Sequence, residues 1–261
     1  MPELPDLCVY SHNLKKLLLN KNITSVTVDN PRNVTGSDVF CRELTGTYIR
    51  DIVREGKELH FSLANNNSFG VHLMLNGKFT VCNKEDTGKI SSKIVSLFFE
   101  DGQALVAADF RGLCKVTLNP KVSKVPDALS DSFTLDYFSG VARKSAYKNV
   151  KAVLIDQKVV RGIGNAYVDE ILWKADISPL SVLGKIPEDK LKDLFHAIPS
   201  VLTGAIRSIQ EISPDIISGE ERSFLKVHNP KKKTTDEGDK ILQKDVATKR
   251  TYYTDKQKLY I

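Results

Sequence analysis

The chain has 261 residues, 41% of them hydrophobic and 27% charged, a composition typical of a globular protein that excludes an intrinsically disordered one. The sequence contains no apolar run long enough for a membrane helix and no signal-peptide pattern, so we expect a cytoplasmic protein with no membrane partner. A net charge of +6 permits a polyanionic partner. No two cysteines form a C-x-x-C pair, which argues against a zinc site and a disulfide framework; they are Cys8, Cys41, Cys82 and Cys114.

The first half of the chain is predicted to contain one helix followed by many strands. Apolar residues from Leu7 to Leu18 recur at helical spacing and predict a helix over residues 6–19, with Asp6 as its cap. Turn signals such as Asn76-Gly77 then separate runs of period two. This pattern favours a two-layer β-sandwich over residues 1–120. Its strands are predicted over residues 23–28, 48–53, 59–63, 68–75, 78–82, 94–99 and 104–108.

The second half is predicted to be mainly helical. A stretch with Pro120, Pro126 and little periodicity leads us to assign residues 121–136 as a linker. A helical domain over residues 137–223 and a Lys-rich tail over residues 224–261 follow, and the tail includes a strand-like run over residues 248–253. The helices are predicted over residues 135–141, 149–159, 165–174, 187–198 and 199–212.

The first residues of the chain combine groups suited to amine chemistry. Initiator Met is normally removed before a small residue, which would leave Pro2 as a free amine beside the carboxylate of Glu3. An α-amine has an ordinary pKa of roughly 7.7–8.0, so part of it is a neutral nucleophile near neutral pH. Such an amine can form a Schiff base while the carboxyl group moves protons. The plainer interpretation is a helix start with a frayed end.

Three further stretches carry candidate binding groups. Lys57 follows Gly56 at a hairpin turn, where a Lys is usually a solvated charge. The block over residues 156–172 predicts helix, glycine turn and helix, with Asn165 as the cap of the second helix. Its backbone N–H groups suit a phosphate, and a plain packing corner is the alternative. Arg250 lies in a strand-like part of the basic tail, which is ordinarily a solvated face.

Taken in chain order, these features match one family. Pro2-Glu3-Leu4-Pro5, Gly56-Lys57, the run over residues 72–77 and the block over residues 156–172 occur in the order seen in the formamidopyrimidine-DNA glycosylase / endonuclease VIII family, which the chain resembles over nearly its whole length. The resemblance implies an α+β fold, with an N-terminal helix and two-layer β-sandwich, then a helix-two-turns-helix domain with a β-hairpin. It implies a monomeric, nucleoid-associated repair enzyme that acts on damaged double-stranded DNA without a cofactor.

The resemblance also implies a role for each matching residue. The amine of Pro2 would attack the sugar C1′ of a damaged nucleotide, and Glu3 would protonate the ring oxygen. The resulting Schiff base would allow β- and δ-elimination at the abasic site. Lys57 would complete this catalytic set by contacting phosphate near the damaged nucleotide. Further DNA-contacting positions of the family are matched by His72, Asn165, Arg250 and Arg111.

Family members fill the space that the extruded base leaves with three side chains. The matching candidates in this chain are Leu75, Arg111 and Leu113. The loop that begins Asp109-Phe110 departs from the usual sequence of the family. The segment over residues 213–222 is also shorter than the loop that covers the flipped base in 8-oxoguanine-specific members. The resemblance therefore leaves the preferred lesion open.

The C-terminal hairpin differs most from the family. Most bacterial relatives end in a zinc finger of C-x2-C-x16-C-x2-C type, which the resemblance aligns with residues 224–261. The four ligand positions hold Thr234, Glu237, Thr254 and Gln257. Because Thr and Gln are not zinc ligands, we expect a zincless finger and no metal.

Two other functions fit parts of the sequence. A non-catalytic DNA-binding protein would need the helix-two-turns-helix block and the basic tail only. An abasic-site lyase with little glycosylase activity would fit the altered loops. The pair Pro2 and Glu3 discriminates against the binder, which has no use for them, and favours a bifunctional glycosylase and lyase.

Overall fold

The computed structural model describes residues 1–261. The chain forms two compact units. The first contains Met1–Val122 and Ile209–Glu220, and the second contains Ser123–Ser208 and Glu221–Ile261. None of the helices is both long enough and apolar enough to cross a membrane.

The first unit is built from two helices and nine strands. Helices α1 and α2 cover Leu4–Leu18 and Ser37–Leu44. The strands are β1 (Ile23–Val28), β2 (Val34–Thr35), β3 (Ile49–Glu55), β4 (Glu58–Leu63), β5 (Ser68–His72), β6 (Lys78–Asn83), β7 (Lys93–Phe99), β8 (Gln103–Ala108) and β9 (Lys115–Leu118). They form a four-stranded sheet of order β1-β7-β8-β6 and a five-stranded sheet of order β2-β9-β5-β4-β3. The predicted two-layer arrangement of an N-terminal helix and two sheets is confirmed.

The core of this unit is aromatic. The rings of Phe61 on β4 and Phe69 on β5 are stacked with their centroids 4.5 Å apart. Phe79 of β6, in the other sheet, meets Phe61 edge-on at 6.0 Å. The alternation of buried and partly exposed residues along β4 explains why a period-two pattern was visible in the sequence.

Two strands and one α-helix of the first unit are absent from the sequence prediction. Strands β2 and β9 have two and four residues, too few to display a repeating pattern. Helix α2 buries only Phe40 and Leu44, so its apolar face is narrow. The predicted strand over residues 68–75 ends at His72, because Met74 has a positive φ of 55° and starts a turn.

The second unit contains the remaining helices and a hairpin, except that the last helix enters the first unit at Ile209. They are α3 (Leu135–Lys144), α4 (Val150–Ile155), α5 (Asn165–Lys174), α6 (Glu188–Ile212), β10 (Ile241–Val246) and β11 (Lys249–Thr254). The predicted helix over residues 149–159 ends at Ile155 instead. The two helices predicted on either side of Pro199 form one, α6. The burial of one continuous apolar stripe stabilises the helix by more than the hydrogen bond that Pro199 cannot donate would contribute. The stripe consists of Leu194, Ile198, Leu202, Ala205 and Ile209.

Two segments differ from the assignments that the sequence predicts for them. Residues 209–220 belong to the first unit, whereas the sequence prediction placed them in the domain over residues 137–223. They are held there by side chains of the first unit, since Asn13 Nδ2 donates to the carbonyls of Pro214 and Ile216 at 2.8 and 2.9 Å. The segment assigned as a linker contains packed residues: Asp127 pairs with Arg161 in a parallel bridge, and Phe133 packs against Phe138.

Candidate active site

The start of α1 lies at one end of the five-stranded sheet. Along α1, Lys15 pairs with Asp51 at 2.6 Å, Ser11 donates to the carbonyl of Ile52 at 2.6 Å, and the Sγ of Cys8 accepts a hydrogen bond from Arg54 at 3.2 Å. The helix therefore runs antiparallel to β3. The residues one helical turn before Cys8 are therefore expected to lie beside the end of β3, where the chain turns into β4.

The N-terminal residues are fixed by a hydrogen bond between neighbours in the sequence. The backbone N–H of Glu3 donates to Asp6 Oδ2 at 2.8 Å, and both residues are buried. The sequence prediction that Asp6 is the cap of α1 is therefore wrong. The cap position is Glu3, and Asp6 is the third residue of the helix. Pro2 is buried with Met1 attached, and the α-ammonium of Met1 pairs with Glu220. Because the nitrogen of Pro2 is then a tertiary amide, it becomes a nucleophile only after Met1 is removed.

Lys57 lies in the two-residue turn between β3 and β4. Glu55 pairs with Glu58, so Gly56 and Lys57 form the turn, and Gly56 has the positive φ of 60° that such a turn requires. Arg54 Nη1 donates to the carbonyl of Gly56 at 3.1 Å and braces the turn. The turn lies at the same end of the sheet to which the register of α1 points.

His72, at the end of β5, lies beside this turn. Burial lowers the pKa of His72, the charge of Lys57 acts in the same direction, and Glu58 opposes them. The backbone N–H of Met74 donates to His72 Nδ1 at 3.1 Å. A neutral ring that accepts at Nδ1 carries its proton on Nε2. His72 is therefore set up as a hydrogen-bond donor through Nε2.

Two loops leave the sheets side by side at this end. His72, the last residue of β5, pairs with Lys115, the first of β9, and Lys78, the first of β6, pairs with Ala108, the last of β8. The loop over residues 73–77 and the loop over residues 109–114 thus lie side by side and both connect the two sheets. All the candidate residues of the first unit that lie on loops are on one rim of the sandwich.

The tips of these loops expose large side chains. Leu75 is 53% exposed and Phe110 is 67% exposed. Arg111 is also exposed, and its guanidinium carbon lies 5.7 Å from the centroid of the Phe110 ring. Leu113, the third void-filling candidate from the sequence, is only partly exposed. The sequence did not single out Phe110 as a candidate.

The helix–turn–helix block of the second unit is organised by Gln157. Its Nε2 donates to the carbonyls of Ile155 and Ile163 at 2.9 and 2.8 Å, and its Oε1 accepts from the N–H of Gly162 at 2.9 Å. The single side chain thereby ties the end of α4 to the glycine turn before α5. The sequence contained this residue within the block but did not reveal its role.

Asn165 has a different role from the one predicted for it. It is the first residue of α5, the cap position is Gly164, and the side chain makes no capping bond. Asn165 Nδ2 instead donates to the carbonyl of Arg250 at 2.9 Å, while its shielded Oδ1 has no hydrogen-bond partner in the protein. The structure therefore brings two of the predicted DNA-binding residues together. Arg250 is exposed on β11, one residue beyond the Val246–Lys249 pair that closes the hairpin turn.

The hairpin does not offer a zinc site. Gln257 Oε1 accepts from the N–H of Thr254 at 2.8 Å, and Gln257 Nε2 donates to the carbonyl of Ile177 at 2.8 Å. Thr234 and Glu237 are exposed, and Glu237 is the only anionic side chain among the four positions. No group of three or more His, Cys, Asp or Glu side chains is arranged to hold a metal ion. The donor set does not fit zinc, and hydrogen bonds occupy the position instead.

Two buried carboxylates of α5 anchor the segments that follow. Asp169 pairs with the fully buried Lys151 at 2.8 Å, accepts from the N–H of Tyr252 at 2.9 Å and lies 2.7 Å from His228 Nδ1. Glu170 accepts from the N–H groups of residues 226–228 at 2.7–2.9 Å. Burial raises the pKa of Glu170, and these three donors oppose that shift. The sequence prediction missed this cluster, because its members are far apart in the chain.

Comparison with known proteins agrees with this architecture. Residues 1–116 match the formamidopyrimidine-DNA glycosylase N-terminal domain, and residues 125–215 match the formamidopyrimidine-DNA glycosylase H2TH domain. The formamidopyrimidine-DNA glycosylase of Lactobacillus johnsonii is 34% identical over 218 residues, which cover 79% of this chain and 78% of that protein. The enzyme of the same name from Enterococcus faecalis is 34% identical over 220 residues, covering 80% and 77%.

Solved structures show the same fold. The Lactococcus lactis Fpg in complex with DNA containing an abasic site superimposes with a TM-score of 0.86 at 27% identity, covering 97% of this chain and 98% of that one. The complex of wild-type Lactococcus lactis Fpg with DNA containing an oxidised pyrimidine gives 0.86 at 28% identity, with the same coverage. The chain therefore belongs to the formamidopyrimidine-DNA glycosylase family, and it is a DNA glycosylase of base-excision repair.

Proposed function

We propose that this glycosylase removes oxidised or ring-opened bases through a Schiff base on the amine of Pro2 and then cleaves the strand by β- and δ-elimination. The observation that carries the proposal is the fixed start of α1. There the hydrogen bond between Glu3 and Asp6 holds the N-terminal residues at the rim of the sandwich that also bears Lys57. An amine nucleophile and a carboxyl group are the two groups that this chemistry requires.

The reaction begins once Met1 is removed. The lone pair of the Pro2 nitrogen forms a bond to C1′, and the bond from C1′ to the damaged base breaks. The base leaves with the bonding electron pair and takes up the proton that the Pro2 nitrogen loses. Glu3 protonates the ring oxygen as the sugar opens, which leaves an iminium between Pro2 and C1′. Loss of a C2′ proton expels the 3′ phosphate, and a second proton loss expels the 5′ phosphate. Water releases the sugar fragment and restores the amine.

The DNA contacts are assigned to residues of both units. Lys57 supplies a cation at the turn beside His72, and the neutral His72 donates from Nε2. In the second unit Asn165 and Arg250 lie in contact and present an amide and an exposed guanidinium. Contacts to phosphate fix the register of a duplex without reading its sequence. Such contacts offset the cost of moving a damaged base out of the stack, which is a few kcal/mol.

The substrate is proposed to be damaged double-stranded DNA. Solved structures that this chain resembles contain an abasic site, an oxidised pyrimidine or a Fapy-dG nucleotide in DNA. We therefore place oxidised pyrimidines and ring-opened purines in the first panel of lesions to be tested. Acting on chromosomal DNA, the enzyme is proposed to be a monomer associated with the nucleoid in the cytoplasm.

The test is borohydride trapping on DNA with an abasic site. Protein with a free Pro2 should form a covalent adduct, and protein whose amine is blocked by an uncleaved N-terminal extension should form none. Glu3→Gln should retain the adduct on a preformed abasic site and lose the release of damaged base. No adduct from the free-amine protein would leave only a DNA-binding role. An adduct without base release over the lesion panel would leave a lyase alone.

A further inference from the structure

Phe110 is the most exposed of the aromatic side chains in the first unit, with 67% of its surface accessible. Single exposed apolar residues are common on proteins and alone carry no meaning. Phe110 differs because Leu75, 53% exposed, lies on the adjacent loop that connects the same two sheets. Two large apolar side chains therefore project from one rim, next to the cationic Arg111.

The loop that carries Phe110 is held rigidly. Asp109, only 4% exposed, accepts hydrogen bonds from the N–H groups of Arg111 at 2.9 Å and of Leu113 and Cys114 at 2.8 Å. Asn33 Nδ2 donates to the carbonyls of Gly112 and Cys114 at 2.8 and 2.6 Å. The loop conformation is thus fixed before any partner binds, so little ordering entropy is lost on contact.

The neighbouring loop is equally constrained. The N–H of Gly77 donates to the carbonyl of Leu73 at 2.8 Å, and a Cβ on Gly77 would come within 2.3 Å of that oxygen. The loop therefore turns tightly behind Leu75 and presents it outward. The loops that carry Phe110 and Leu75 are therefore both held in shape by hydrogen bonds between other residues.

We infer that Phe110 is the aromatic wedge of this enzyme, entering the DNA stack beside the extruded nucleotide, and that Leu113 is not needed for this role. This inference rests on the proposed function, because only an enzyme that extrudes a base leaves a space to fill. Apolar side chains inserted between bases unstack a step and kink the duplex. Phe offers a flat face for a base, and Leu75 and Arg111 flank it on the same rim.

The order of residues makes this assignment specific to this chain. The aromatic side chain comes immediately before Arg111, whereas the position two residues after Arg111 holds the partly exposed Leu113. The guanidinium of Arg111 lies 5.7 Å from the Phe110 ring, so the two side chains are neighbours at the tip. Insertion of Phe110 therefore brings the Arg111 cation to the DNA beside it.

A duplex with a tetrahydrofuran abasic analogue, and 2-aminopurine in the opposite strand, tests this assignment. Binding of the wild-type protein should change the 2-aminopurine fluorescence as the stack is disrupted. Phe110→Ala should abolish most of that change and weaken binding about tenfold, the loss typical of one base–aromatic stack. Leu113→Ala is the matched control and should keep the change. Phe110→Trp should restore a stacking signal. If Phe110→Ala lost the signal because the loop misfolded, Phe110→Trp would not restore it.

Trapping on single-stranded abasic DNA separates this inference from the proposed function. A single strand needs no wedge, so Phe110→Ala should trap it as fast as the wild type does. Failure of the wild-type protein to trap would overturn the Schiff-base proposal itself. A Phe110→Ala protein with unchanged fluorescence response and affinity, beside a Leu113→Ala protein that loses both, would overturn the assignment of Phe110.

Discussion

The backbone N–H of Glu3 donates to Asp6 Oδ2 at 2.8 Å, and neither residue has more than a few per cent of its surface exposed. Asp6→Ala removes this acceptor and leaves a buried N–H group unpaired. We expect it to cost about 1–2 kcal/mol of unfolding free energy, the range for a lost helix cap. Because Pro2 and Glu3 are held through this bond, borohydride trapping should slow as well. Urea unfolding and trapping rates measure the two effects.

Asp6→Asn is the control for that prediction. It keeps an oxygen acceptor at the same position and should recover most of the stability and of the trapping rate. If Asp6→Ala lowered stability but left trapping unchanged, the hydrogen bond would serve the fold of α1 only and not the placement of the reactive residues.

The pKa of His72 leads to a prediction about acid stability. Burial lowers this pKa below its ordinary value near 6.5, so the folded protein binds fewer protons than the unfolded chain as the pH falls through 6.5. The unfolding free energy should therefore decrease between pH 7 and pH 5. His72→Gln removes the proton uptake and should make this decrease smaller, as urea unfolding at the two pH values would show. His12→Gln, at an exposed position, should keep the wild-type difference.

The sequence predicted the elements whose signals are local. Strand β1 and helix α5 were placed at the bounds the structure shows, because alternation and helical spacing are written in neighbouring residues. Elements of two to four residues, such as β2 and β9, have too few positions for any period. Helix α6 was divided at Pro199 since a local rule favours a break there, and only its buried stripe reveals that the helix continues.

The site was predictable where a residue type in a fixed order carries the chemistry. Pro2, Glu3 and Lys57 are predicted in that way. The contacts that position them depend on distant residues. The Glu220 carboxylate pairs with an α-ammonium 219 residues away, and the carbonyl of Arg250 accepts from Asn165 across 85 residues. No spacing in the sequence indicates such contacts.

The buried pair of Lys151 and Asp169 should be the most sensitive point of the second unit. Both side chains are fully buried, with 2.8 Å between Nζ and Oδ1, and Lys151 also donates to Thr251 at 2.6 Å. Lys151→Met leaves Asp169 as a buried charge without its cation, and we expect a loss of about 3–5 kcal/mol in the unfolding free energy. Urea unfolding measures the change.

The exposed pair of Lys190 and Asp193 provides the matched control. Its Nζ and Oδ2 are 2.7 Å apart, but the side chains are 37% and 55% exposed. Lys190→Met should leave the unfolding free energy nearly unchanged, since solvent screens such a pair. Equal losses from the two substitutions would show that Asp169 is stabilised without Lys151, through Tyr252 and His228.

The hairpin of β10 and β11 should fold without metal, because the Gln257 side chain closes it. Gln257→Ala removes the acceptor of the Thr254 N–H and the donor to the Ile177 carbonyl. With each net hydrogen bond worth roughly 1 kcal/mol, we expect a loss of about 2 kcal/mol. Gln243→Ala, at an exposed position of the same hairpin, should have little effect. A chelator should leave the Tm and the DNA affinity of the wild-type protein unchanged. A fall in Tm on chelation would mean that a metal contributes to folding and that the hydrogen bonds of Gln257 do not suffice.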